Sequence, residues 1–233
     1  SSAASDVYKR QPFVPSAKDD LSRRCKEIIT MQATGLATRL AHTGIKNVVL
    51  GLSGGLDSTL ALIVCVHAFD MLGIDRKNIH TVTMPCFGTT KRTKSNAEKL
   101  AEAYNVSFEE INITAAVRQH FIDIKHDESV TDITYENSQA RERTKILMNL
   151  SNKYGGLVIG TGDLSELALG WATYNGDHMS MYAVDVSIPK TLVRYLTAYE
   201  AEISDGELKT VLLDVLDTPV SPCLLYTSDA ADD

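Results

Sequence analysis

Six residues between two apolar runs, Ser53, Gly54, Gly55, Leu56, Asp57 and Ser58 in VVLGLSGGLDSTLALIV (48–64), are of types that can hold an anion. If a strand stops at Gly51 and a helix starts near Leu56, backbone N–H groups converge on one spot at the positive end of the helix dipole. Gly54 and Gly55 have no Cβ to keep an anion at a distance and can adopt positive φ, and the hydroxyls of Ser53 and Ser58 add donors. The loop fits a phosphate. It has no lysine for a G-x-x-x-x-G-K-[ST] loop and no G-x-G-x-x-G fingerprint. Asp57 is the unexpected residue, because a carboxylate beside a polyphosphate is repulsive unless a divalent cation lies between them, so it predicts Mg²⁺. The plain alternative is a Ser/Gly turn before a helix, with Asp57 as a favourable first-turn acid.

The elements around the loop must present it at an edge. Leu21, Cys25, Ile28, Ile29, Leu36 and Leu40 recur at helical spacing between Pro15 and His42, so a long helix precedes the first strand at Asn47 to Leu52. Leu56 to Leu72 returns to helical period and Gly73 ends it. Further strands are expected at Ile79 to Met84, Val106 to Ile111 and Gly156 to Gly160. Helices are expected at Thr93 to Tyr104, Ala115 to Ile124, Glu136 to Tyr154 and Leu164 to Trp171. Strands alternating with helices call for an α/β fold, a doubly wound parallel sheet covered on both faces. Ligands in such sheets sit beyond the carboxyl ends of the strands, where SGGLDS, PCFGTTKRT and TGDLSE fall.

Composition narrows the classes. A chain of 233 residues, 44% hydrophobic, affords a sizeable core, and a formal charge of -7 gives no field for a nucleic-acid backbone. Cys25, Cys65, Cys86 and Cys223 have neither C-x-x-C nor zinc-ligand spacing, and no apolar run approaches a membrane span. A cytoplasmic protein with reduced thiols and no membrane partner is expected. SSAASDVYKRQ and LLYTSDAADD resemble adapter-derived translation, so residues 1–11 and 225–233 are expected to be non-native and 12–222 to be one domain.

SGGLDS resembles the pyrophosphate loop of the N-type ATP pyrophosphatases. YENSQARERT (135–144), GLVIGTGDLSELALGWATYNGDHMS (156–180) and VSIPKTLVRYL (186–196) together resemble NAD synthetase, in particular the synthetase domain of the bacterial glutamine-dependent form. The resemblance implies a Rossmann-like fold of the adenine nucleotide alpha hydrolase type and amidation of nicotinic acid adenine dinucleotide to NAD. ATP is the implied co-substrate and Mg²⁺ the implied metal, with AMP and pyrophosphate released from an adenylated intermediate. It implies that Gly51, Leu52, Ser53, Gly54, Gly55, Leu56, Asp57 and Ser58 hold the ATP phosphates, with Thr161, Lys190 and Ser221 on the same nucleotide. Asp57 and Lys190 are the implied catalytic groups, and Asp57 and Glu166 would share the metal. Glu166, Asn137, Arg141, Trp171, Ala172, Thr173 and Tyr174 fall at substrate positions.

The family further implies a dimer-based homo-oligomer and ammonia supplied from glutamine by an amidase domain, which no part of these 233 residues resembles. Its C-terminal segment with a substrate lysine is also absent from this sequence, and Tyr174 stands where the ammonia-dependent form carries a lysine. Other readings stay open. Arg141 and Arg143 with Glu142 could be a solvated helix face, Trp171 could be core, Glu166 an ordinary helix residue, and Cys86 a structural thiol. A different amidating or thiolating ligase with the same loop, or a module that binds adenine nucleotide without turnover, would carry the same SGGLDS motif.

Overall fold

The computed structural model describes residues 18–87, 91–161, 181–184 and 188–217, with the side chains of 91–95 excepted. Helix α1 (Lys18–Thr43) leads into β1 (Val48–Gly51), followed by α2 (Leu56–Leu72), a 3₁₀ turn (Arg76–Asn78), β2 (Ile79–Thr83), α3 (Lys91–Tyr104) and β3 (Ser107–Glu110). Then come α4 (Thr114–Asp123), α5 (Ile133–Tyr154), β4 (Leu157–Gly160), β5 (Met181–Ala183), α6 (Lys190–Ile203) and α7 (Gly206–Asp217).

All four strand pairings are parallel, and the sheet order is β3-β2-β1-β4-β5. Alternation along each strand divides the core between two faces. Val48 and Leu50 of β1, with Leu157 and Ile159 of β4, pack toward α1, α2, α3, α6 and α7. Val49 and Val158 join Val82, Val117, Phe121 and Leu147 on the face covered by α4 and α5. The expected doubly wound parallel sheet is thus the observed architecture.

Helix α2 lies at the centre of the first face and is apolar nearly all round: from Ser58 to Phe69 every residue except His67 is buried. Full burial of Leu60, Leu62 and Ile63 contributes about 1.5–3 kcal/mol each relative to exposure. Gly73 ends the helix at φ 64, its N–H donating back to Asp70 O.

The strand order reverses between β1 and β4, which are neighbours although α2 to α5 lie between them in sequence. Their carboxyl ends therefore frame the crevice in which open α/β sheets bind ligands. The edge strand β5 and helices α6 and α7 were not anticipated: MYA is only three half-buried residues, with no readable period. The expected helix at Leu164 to Trp171 lies outside the described residues, as do Glu166, Trp171, Ala172, Thr173, Tyr174 and Ser221.

Candidate functional site at the carboxyl edge of the sheet

β1 ends at Gly51, where an added Cβ would lie 3.3 Å from Leu147 Cδ1 and 3.5 Å from Met84 Cε. The chain leaves the sheet through Leu52, whose N–H donates to Val82 O at 2.8 Å. Gly54 then turns at φ 82, in the left-handed region where a side chain is strained. Gly55 is the N-cap of α2 and supplies no side-chain cap. The first helical bond comes from Thr59 N–H to Gly55 O, so by helix geometry the first-turn N–H groups of α2 point out of its start toward the loop. This is the helix start at which the sequence places an anion.

The serines do something else as well. Ser58 Oγ accepts from Ser53 N–H at 3.2 Å, Ser53 Oγ accepts from Gly55 N–H at 3.2 Å, and the two hydroxyl oxygens lie 3.1 Å apart. Side chains expected as ligand donors thus also brace the loop. Asp57 is half-buried in the first turn of α2.

Across the switch point, Thr161 follows β4 and is only 8% exposed. One small cavity is lined by Gly51 from β1, Gly160 and Thr161 from the end of β4, Thr144 and Leu147 from α5, and Met181 from β5. It brings together two of the expected nucleotide positions, Gly51 and Thr161. Asn137, Arg141 and Thr144 are spaced i, i+4, i+7, so half-buried Asn137 and exposed Arg141 share the α5 face that Thr144 brings to the cavity. Thr144 and Met181 were not anticipated; the seven-residue spacing from Asn137 was the available signal for Thr144.

The charged run on α5 divides. Arg143 turns inward and donates from Nε to Met84 O at 3.1 Å, tying α5 to the end of β2, while Glu142 pairs with Lys145 at 2.8 Å. Burial pushes the Cys86 thiol up, although Arg143 and Arg118 nearby act the other way, which disfavours the thiolate a nucleophile needs. Lys190 opens α6 directly after Pro189 and is exposed. Among the described residues no three His, Cys, Asp or Glu side chains form a metal cage. Mg²⁺ needs none: it takes one or two carboxylates and completes its shell with phosphate oxygens and water, a demand that the hard oxygen donors of Asp57 suit.

Comparison with known proteins gives this geometry a family. The family model for NAD synthase matches residues 28–203. Glutamine-dependent NAD(+) synthetase of Mycobacterium tuberculosis is 46% identical over 95% of this chain and 34% of its own length. The Thermotoga maritima counterpart is 36% identical over 81% of this chain and 32% of its own length. The chain thus spans about a third of the curated relatives it matches. Among solved structures, glutamine-dependent NAD+ synthetase of Acinetobacter baumannii in complex with ADP aligns with TM-score 0.70 at 30% identity, over 92% of this chain and 39% of that one. NMN synthetase of Francisella tularensis aligns with TM-score 0.65 at 25% identity, over 84% of this chain and 75% of that one. Sheet order, loop, and a match covering most of the described residues agree: the chain belongs to the NAD synthase family.

Proposed function

We propose that the chain is the synthetase part of a glutamine-dependent NAD synthetase, one domain over 12–222, and that it amidates nicotinic acid adenine dinucleotide at the expense of ATP. The observation that carries the reading is the loop Gly51–Ser58 at the switch point, with the uncapped start of α2 behind it and Thr161 across one cavity. A relative solved with ADP supports nucleotide binding in this fold.

The substrate is a carboxylate, whose oxide does not leave. Its oxygen attacks the α-phosphorus of ATP, the bond to the β-phosphate oxygen breaks, and pyrophosphate departs. Ammonia then attacks the carbonyl carbon of the acyl adenylate, AMP leaves with the C–O bonding pair, and the ammonium proton passes to solvent. The N–H groups of Leu56, Asp57 and Ser58 hold the leaving pyrophosphate, and Lys190 offsets charge on the same phosphates. Thr161 contacts the nucleotide from the β4 side. Asn137 and Arg141 hold the dinucleotide on α5, Arg141 through a two-pronged guanidinium contact with a phosphate or carboxylate.

Mg²⁺ bound by Asp57 and Glu166 would screen the repulsion between carboxylate and polyphosphate. Trp171 to Tyr174 and Ser221 complete the reading. In the longer protein, ammonia comes from glutamine through an amidase domain, in a dimer-based assembly in the cytoplasm. The described helices include none long and apolar enough to cross a membrane.

Exchange of labelled pyrophosphate into ATP tests the proposal. It is expected to require nicotinic acid adenine dinucleotide. Exchange with the mononucleotide alone would move the substrate toward that of an NMN synthetase, exchange with another acceptor would make the chain a different amidating or thiolating ligase, and nucleotide binding with no exchange would leave a binding module.

A further inference from the structure

Glu200 is 4% exposed, in the layer of helices beneath the site. A buried carboxylate must be partnered, and its partners come from two other helices: His67 Nε2 of α2 lies 2.9 and 3.1 Å from its two oxygens, and Tyr104 Oη of α3 donates to Oε1 at 3.3 Å. The cluster extends to the 3₁₀ turn, where Arg76 grips Asp70 of α2 through two hydrogen bonds of 3.0 and 2.8 Å and donates to Tyr104 O at 3.1 Å. His67 is the one residue of the run Ser58–Phe69 that is not buried, and its ring faces Glu200.

We infer that His67 and Glu200 are positioning residues that set α6, and with it Lys190, against the loop helix α2. The inference rests on the reading of Lys190 and the Gly51–Ser58 loop as ATP-binding. Both helices begin within a few residues of strand carboxyl ends and run back over the same face of the sheet. His67 lies ten residues beyond Asp57 and Glu200 ten beyond Lys190, about 15 Å along either axis. Joining the two side chains therefore sets the starts of α2 and α6 at corresponding heights. Val193 and Leu196 also pack α6 into the core, but apolar contact is non-directional and tolerates sliding, whereas a two-oxygen hydrogen-bonded pair does not. The need is real because α6 follows β5, which among the described residues pairs with β4 alone.

Affinity for magnesium ATP, measured by calorimetry on this chain, separates positioning from packing. Replacing both partners by apolar residues, His67→Leu with Glu200→Leu, in a Tyr104→Phe background so that no buried hydroxyl loses its acceptor, is expected to leave thermal stability equal or higher, because apolar pairs commonly match buried ion pairs. ATP affinity is nevertheless expected to fall ~3- to 10-fold. In a Lys190→Ala background the same pair of changes should cost less than about 2-fold, since the residue being positioned is gone.

Unchanged ATP affinity in the apolar double variant, with Lys190→Ala weakened, overturns the tie and leaves the ATP reading standing; so does a full additive loss in the Lys190→Ala background. Unchanged affinity in Lys190→Ala removes the ATP role of Lys190 and the tie with it. If the apolar pair fails to fold, His67→Ala, at a partly exposed position, carries the same expectations for ATP affinity, with lower thermal stability because the buried Glu200 keeps Tyr104 but loses His67.

Discussion

At Gly54 the loop depends on a backbone angle, and at Asp57 the proposed function depends on a charge. With φ at 82, Gly54→Ala is expected to cost about 1–2 kcal/mol in unfolding free energy, read by denaturant melts. The same change should weaken magnesium ATP binding, because the strain falls on the turn that aims the donor cluster. Asp57→Asn separates function from stability more cleanly. As a first-turn acid, Asp57 contributes only about 0.3–1 kcal/mol to α2, so the variant should melt close to the parent. Pyrophosphate exchange should nonetheless fall at least ~10²-fold, the scale of losing one preorganised electrostatic contact at a reacting phosphate. Exchange at parental rate in a folded Asp57→Asn chain would remove the metal from the proposal.

Elements place these residues, and one glycine at the far edge of the sheet tests how rigidly. A Cβ on Gly156 would sit 2.8 Å from Asn47 O, a backbone atom that cannot swing away. Gly156→Ala should therefore push β4 from β1 at their amino ends, costing about 1–3 kcal/mol in chemical denaturation. Exchange per folded molecule should stay at the parental rate, since the clash is at the opposite edge from Thr161. A matching loss of exchange would show that the crevice depends on the whole length of the β1–β4 pairing.

Where the sequence was legible, local chemistry and tertiary packing agreed. Leu56 to Leu72 is readable because a glycine-rich loop starts it and Gly73 stops it, and β1 and β4 because apolar β-branched runs fit buried parallel strands. The turn from β1 into α2 was legible because its glycines and serines signal it locally. β5 was not, being three half-buried residues that become a strand only by pairing with β4. Nor was the tie between His67 and Glu200, whose partners are 133 residues apart. The bracing role of Ser53 and Ser58 was missed for another reason: hydroxyls that can serve a ligand can equally serve their own loop.

The molecule as a whole carries opposing histidine titrations. Hydrogen bonding to Glu200 raises the pKa of His67 against the effect of burial, with Asp70 adding to the rise and Arg76 opposing it. A histidine raised in the folded state stabilises fully below its unfolded value of 6.5 and loses that contribution as pH climbs through the higher folded value. His80, stacked on Tyr154 at 4.1 Å, is lowered by burial, so its contribution is present above 6.5 and lost as pH falls below it. The wild-type stability curve sums the two, and only a difference measurement isolates either. The stability of the parent minus that of His67→Gln, from denaturant melts at several pH values, should be largest near pH 6 and shrink toward pH 9. His67→Gln retains an N–H for Glu200, so what remains at high pH measures geometry, and what disappears measures charge. A difference independent of pH would mean that folding leaves the His67 pKa unshifted, so that the charge on His67 adds nothing to the contact between α2 and α6.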